Sequence, residues 1–259
     1  MKTFLSAAVA VIALGLAVPA KAQTSRLQTI LESGTLRVGT TGDFNPMSFK
    51  NPATGEYEGY DIDAVTKLAS DMGVAIEWVP TEWKTLVAGL VADKYDMTTS
   101  ASLSVDRAKV AGFSDPYVTF ATVPMMLEAN VADYADWADL DRPDATIAVT
   151  LGTVFEQQAR SYFDNAEILT VEAPAREWQE VLAGRATASI TSNVDAAALI
   201  TRFPELAVVP VTEARSRRPG AFLLPQDDQI WINFVNHWVE LHHENGFFDE
   251  LMANWQISD

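Results

Sequence analysis

An α/β fold in two lobes with a cleft between them is what this 259-residue sequence predicts. Three observations carry that expectation. Short strand-like apolar runs alternate with amphipathic helical patterns. The alternation forms two successive units, and the last segment returns to the first. No Gly/Ser-rich linker separates the units, which suits lobes joined by paired crossing strands better than lobes on a flexible tether.

The first unit begins with a strand over 35–40, with Leu36 and Val38 on one face. A loop follows over 42–46. Ile62, Val65, Leu68 and Met72 recur at helical spacing from position 61, and Gly73 ends that helix. A strand over 74–79 comes next. Trp83, Leu86, Val87, Leu90 and Val91 mark a second helix, and 97–101 is strand-like. Ser104 is placed to cap a third helix, with Asp106 in a first turn where the dipole favours negative charge.

The second unit starts with a strand over 145–149. Gly152 and Thr153 open a helix carried by Phe155, Ala159 and Phe163. A strand over 168–171 precedes a helix over 178–183, which Gly184 stops. A strand over 188–191 and a helix over 194–200 complete the unit. The returning segment supplies a strand over 221–224 and a long amphipathic helix over 230–241. Ligands in sheets of this kind sit at the loops beyond the strand carboxyl ends.

The amino terminus reads as an export signal. Lys2 precedes an apolar run over 4–18, and Pro19-Ala20-Lys21-Ala22 holds an A-x-A cleavage pattern. Residues 1–22 are therefore expected to be a cleaved signal peptide, with Gln23 starting a mature periplasmic chain. The run is too short for a bilayer core of about 30 Å, so no membrane insertion is expected after cleavage. The chain has no cysteine, which removes disulfides, thiolate nucleophiles and thiolate metal sites together. The formal net charge is −17 and falls further when Lys2 and Lys21 leave. Nucleic acid and anionic membrane surfaces are thereby excluded as expected partners.

Against that acidity, Arg107 stands out. A guanidinium presents a planar fork of donors that matches a carboxylate. Ser100 and Ser102 precede it on one face of a strand end, and the helix start near Ser104 adds a favourable dipole. Two readings stand at this point: a carboxylate cradle, or an arginine on a solvated turn. Phe44, Phe49, Trp83 and Tyr117 lie in or near loops beyond strands of the first unit, and Phe44 and Trp83 are the expected cleft pair. Arg176 is expected to be a solvated loop residue, with a second carboxylate as its alternative partner. Arg215, Arg217 and Arg218 are expected to be solvated charge, with an anion-attracting cleft rim as the alternative. His237, His242 and His243 read as surface residues and not as a metal site. There is no H-E-x-x-H, G-x-S-x-G, P-loop or G-x-G-x-x-G pattern, and no cofactor is expected.

Five segments in register carry a family resemblance: "LRVGTTGDFNPMSF", "GEYEGYDIDAVTKLA", "SLSVDRAKVAGFSDPY", "LGTVFEQQA" and "VLAGRATASITS". They resemble the periplasmic amino-acid-binding proteins of ABC importers. The opening "SRLQTILESGTLRVGTTGD" and "VPTEW" look most like the branch that became cyclohexadienyl dehydratase, an enzyme that decarboxylates and dehydrates prephenate or arogenate.

The resemblance implies the type II binding-protein fold, with a central ligand cleft and hinge strands. It implies lobe 1 over 23–122 plus 218–259 and lobe 2 over 123–217. Arg107 matches the arginine that grips the ligand carboxylate, with Ser102 beside it. Phe44 matches an aromatic that packs on the ligand, and Asp43 a loop position that often contacts its polar end. Thr153 matches a helix start in the second lobe that closes over the carboxylate. Ser192 stands where importers usually place an aspartate for the ligand ammonium. Asp195 matches the general-acid glutamate of the dehydratase branch, one methylene shorter. Thr122 and Val154 stand where that branch has lysine and asparagine, and Pro46-Met47 replaces the commoner Pro-Phe.

The expectation is a solute-binding protein for a small carboxylate or amino acid that feeds an ABC permease. An exported dehydratase using Asp195 is the alternative, and a periplasmic sensor or accessory domain a third class.

Overall fold

The structure is a computed structural model that describes residues 24–99, 101–212 and 214–257. The expected signal peptide at 1–22 and the expected contribution of Ser100 lie outside the described residues.

Two sheets organise the chain. The first is parallel and three-stranded, with Thr35–Thr40 between Ala75–Pro80 and Met97–Thr98. The helices Tyr60–Met72, Leu86–Val91 and Gln229–Glu244 cover it. The buried faces of the first and last join Leu36, Val38, Leu68, Met97, Trp231 and Val235 in one core, while Leu86 and Leu90 pack with Tyr95, Ala101 and Leu223 in a second. The second sheet runs Glu167–Val171, Thr146–Thr150, Ala188–Ser192, then Val118–Leu127, Arg215–Ala221 and Ala101–Ser102, with Leu206–Val208 also paired to Val118–Leu127. Its first three strands are parallel, and Thr146–Thr150 is buried along all but its first residue, as a sheet covered on both faces requires. One face packs on Trp137, Ala159 and Phe163, the other on Val181, Ala196 and Leu199. The result is the two-lobed α/β architecture.

Val118–Leu127 and Arg215–Ala221 cross between the lobes as an antiparallel pair. The ladder is irregular between Arg215 and Arg218. Ser216 lies in that break with φ of 47°, a left-handed conformation that costs a β-carbon-bearing residue energy. Its hydroxyl bonds the Tyr162 hydroxyl, which ties the irregular strand to the second lobe.

Local signals account for several element ends. Ser104 caps Val105–Ala108 by accepting from the Arg107 amide. Thr153 caps Val154–Tyr162 by accepting from Glu156. Gly73 closes Tyr60–Met72 at φ 69°, where a side chain would be strained.

Other expectations are corrected. The loop over 42–46 contains a short strand, Asp43–Phe44, that pairs with Ser48–Lys50. In place of the strand expected over 221–224 there are two: Arg215–Ala221, and Leu223–Leu224, which pairs separately with Gly112–Phe113. The arginine-rich segment is therefore a strand, not a solvated cluster. Arg215 stacks 4.9 Å from the Trp137 ring and 5.0 Å from Tyr162, and half-buried Arg218 donates to the Leu103 carbonyl at 3.3 Å; Arg217 alone of the three is exposed. His242 is buried because it continues the stripe of Trp231, Val235 and Trp238 on one helix face, and it bonds Asp71 at 3.0 Å. His237 and His243 are exposed. The helices Arg26–Ser33 and Phe247–Asn254 had no counterpart in the periodicity reading. Among the described residues no helix is long and apolar enough to cross a membrane.

Candidate functional site

Between the lobes lies a cavity lined by Phe44, Trp83, Ser102, Arg107 and Phe120 from the first lobe and its crossing strand. Thr150, Thr153, Val154, Phe155, Arg176, Glu177, Ile190, Thr191 and Asp195 line it from the second. The lobes stand close together here, and the free space left between these side chains is about 30 Å³, room for about one or two water molecules.

Arg107 is 9% exposed. One Nη donates to the Ser102 carbonyl at 3.0 Å, and the other reaches across the cleft to the Gly152 carbonyl at 3.2 Å. Both partners are neutral. Among the described residues no carboxylate lies within ion-pair distance of this guanidinium. Burial, and then the nearby charge of Arg218, push its pKa down to about 10, so it remains a cation at neutral pH. A buried charge without a counterion is costly, and a carboxylate guest would relieve that cost. Of the two readings of Arg107, the solvated turn is corrected: the residue's backbone belongs to a short helix, but its head points inward.

The two lobes meet closely here. Gly152 adopts φ 81°, and a β-carbon on it would lie 2.4 Å from Lys84 Cα. That approach brings the Gly152 carbonyl within reach of Arg107. It also places Lys84 2.6 Å from Glu172 on the solvent side of the contact.

A second guanidinium lines the same cavity. Arg176 is not solvated; its side chain is 11% exposed. Its Nε and one Nη engage both carboxylate oxygens of Glu177 at 3.0 and 3.2 Å. The same Nη meets Asp195 at 3.2 Å. The other Nη donates to the Asp43 backbone carbonyl and lies 3.4 Å from the Asp43 carboxylate. The solvated expectation failed because Asp43 and Asp195, distant in sequence, converge on this position beside the adjacent Glu177, which local patterning does not reveal.

Those acids are held in turn. Glu177 accepts from the Thr150 hydroxyl, Asp195 from Thr191 at 2.9 Å, and Asp43 from the Trp83 indole at 3.0 Å. Burial works against both charges of the Arg176–Glu177 pair. Their mutual attraction and hydrogen bonds outweigh it, so Arg176 sits above and Glu177 below its usual range. Asp195 goes the other way. Burial, the largest influence, overcomes the pull of Arg176 and, with the charges of Glu177 and Asp43 adding to it, pushes its pKa up to about 7. Its proton is therefore held to a higher pH than that of an ordinary aspartate.

Of the residues singled out in the sequence, Phe44, Trp83, Ser102, Arg107, Thr153 and Asp195 line the cavity. Phe44 and Trp83 meet edge-on at 5.9 Å. Asp43 reaches the site through Arg176 and Trp83. Ser192 does not line it; its hydroxyl caps Asn193–Arg202, and its neighbour Thr191 faces the cavity instead. Tyr117 is core, stacked 4.2 Å from Phe222, and Phe49 packs on Trp255 at 6.1 Å. Glu177, Thr150, Thr191 and Phe120 were missed. For Glu177 a signal existed, since it directly follows Arg176 at a helix start.

Comparison with known proteins places this geometry. A family profile described as bacterial extracellular solute-binding proteins, family 3, matches residues 36–258. Cyclohexadienyl dehydratase of Pseudomonas aeruginosa is 32% identical over 249 residues, covering 96% of this chain and 92% of its own. A reconstructed ancestral amino-acid-binding protein, described as a precursor of cyclohexadienyl dehydratase, superposes with a TM-score of 0.83 at 35% identity, over 90% of this chain and 99% of its own. A binding component of an ABC transporter from Wolinella succinogenes, solved in complex with lysine, gives 0.81 at 27% identity, over 87% and 97%.

Proposed function

Because the chain belongs to family 3 of the bacterial extracellular solute-binding proteins, we propose that it captures a small carboxylate or amino acid in this cleft for an ABC permease. One observation carries the proposal: Arg107 is buried, cationic and without an acidic partner among the described residues, and it lines the cavity between the lobes. The guest's carboxylate takes the unused donors of Arg107. Ser102 and the Thr153 helix start complete the cradle, and Phe44 and Trp83 cover the apolar body. In this reading residues 1–22 export the protein to the periplasm. Lobe 1 (23–122 with 218–259) and lobe 2 (123–217) then close about the two crossing strands.

A thermal-shift screen with amino acids and organic acids tests it. A ligand stabilises by RT ln(1 + [L]/Kd), about 2.7 kcal/mol at a hundred times Kd. At least one carboxylate should raise Tm, and Arg107→Met should abolish that rise. The same variant should match or exceed the ligand-free wild type in Tm, because it removes an uncompensated buried charge. No response to any carboxylate, or an equal response in the variant, would sink the reading.

A second reading, dehydration of prephenate or arogenate, is favoured by one observation. The Asp195 carboxyl lines the cavity and retains a proton near neutrality, as a general acid must. The assay is formation of phenylpyruvate or phenylalanine, with loss in Asp195→Asn. An inactive pure wild-type protein rejects it.

A further inference from the structure

Two guanidinium groups line the cavity, and their states differ. Arg107 spends its bonds on two neutral carbonyls. Arg176 has every donor direction engaged: Glu177 takes two, Asp195 one, and the Asp43 carbonyl and carboxylate the remainder. The acids that could receive a positively charged guest are therefore already occupied by a cation of the protein's own. Their other bonds point the same way. Glu177 is further filled by Thr150, Asp195 by Thr191 and Asp43 by Trp83. Only one Asp195 oxygen has no bond among the described residues, and the raised proton affinity of that carboxyl makes it a poor counterion.

We propose that Arg176 is a specificity-determining residue: a resident guanidinium fills the acidic part of the cleft, so the site selects carboxylates whose remaining body is uncharged and refuses arginine- and lysine-like guests. The proposal rests on the carboxylate-capture reading of Arg107 and deepens it. The physical reason is that a second cation would enter a buried site beside Arg176, where repulsion is weakly screened, while the acids cannot serve both charges. An uncharged polar end needs only the spare Asp195 oxygen. The lysine complex among the relatives marks the behaviour from which this chain departs.

The test is calorimetric titration of wild type, Arg176→Met and Arg176→Lys with L-arginine and L-lysine, and with L-citrulline and L-norleucine as partners of similar length and no side-chain charge. The wild type should favour the uncharged member of each pair by at least about tenfold. Arg176→Met should gain at least about tenfold for arginine or lysine, even if the wild type binds none of the four. Arg176→Lys, which keeps the charge, should keep the refusal. Wild-type binding of arginine or lysine as tight as that of the uncharged partner overturns the inference and leaves the capture reading intact. So does a folded Arg176→Met with an unchanged preference. If Arg176→Met does not fold, the wild-type pairs and Arg176→Lys decide. Silence of all three proteins toward every carboxylate overturns the capture reading together with this inference.

Discussion

At the scale of single residues, the cavity balances charges of unequal standing. Arg107 is left without a counterion among the described residues, Arg176 and Glu177 satisfy one another, and Asp195 shifts toward its neutral form. The last has a consequence for stability. An unfolded aspartate titrates near about 3.9, whereas Asp195 in the native protein titrates at about 7. The native state therefore keeps this proton where the unfolded chain has lost it. The associated stabilisation is full at low pH and disappears as pH rises through the native value. Other carboxylates act in the opposite sense; Asp71, although burial opposes it, is drawn down to about 2 by Lys67, Trp238 and His242. The informative quantity is thus a difference. The Tm of wild type minus that of Asp195→Asn should grow as pH falls from roughly 8 to 5. A difference flat across that window would show that Asp195 is ionised throughout.

At the scale of elements, the site is made where the loop before the Val154–Tyr162 helix meets the turn at Trp83–Thr85. Gly152 permits the contact. In Gly152→Ala the new β-carbon would press on the Lys84 backbone at a φ that disfavours side chains. The lobes would then stand apart, and ligand affinity should fall by more than about tenfold. The folded state should lose only about 1–2 kcal/mol, the usual cost of a side chain in the left-handed region. Calorimetric affinity together with Tm checks this, and undiminished affinity would mean that the contact is incidental to binding. The elements of this region were legible where one local signal decided them: Ser104 and Thr153 as caps, Gly73 as a stop, Leu36 and Val38 as one face of a strand. The Arg215–Ala221 strand was not, because its partner lies about a hundred residues away and its composition favours solvent. For the same reason Arg107, bracketed by recognisable motifs, could be placed in a cleft from sequence. Arg176, whose acids come from three separate segments, could not. His242 shows the intermediate case: its spacing from Trp231 and Val235 was visible, but a histidine's identity argued for exposure.

At the scale of the whole molecule, a chain of net charge −17 must admit an anion or a zwitterion to a cleft whose cationic anchor is buried. Long-range attraction is not available to a net-negative ligand, which meets repulsion from the surface until it reaches Arg107. Its association rate should therefore rise with salt, as the screening length falls from about 30 Å at 0.01 M to about 8 Å at 0.15 M. Stopped-flow tryptophan emission, with Trp83 in the cavity wall, measures it; a rate that fell with salt would show that the cleft potential outweighs the surface. The connection between the lobes carries a last consequence. One crossing strand runs unbroken, while its neighbour holds a spare residue's length around Ser216, fastened to the second lobe through Tyr162 and Arg215. A rotation of one half against the other then turns about the taut strand and is taken up as slack in the kinked one. In the proposed closure the axis of movement would then be set off-centre, toward Val118–Leu127, and the mouth at Gly152 and Lys84 would swing like a door hung on one side.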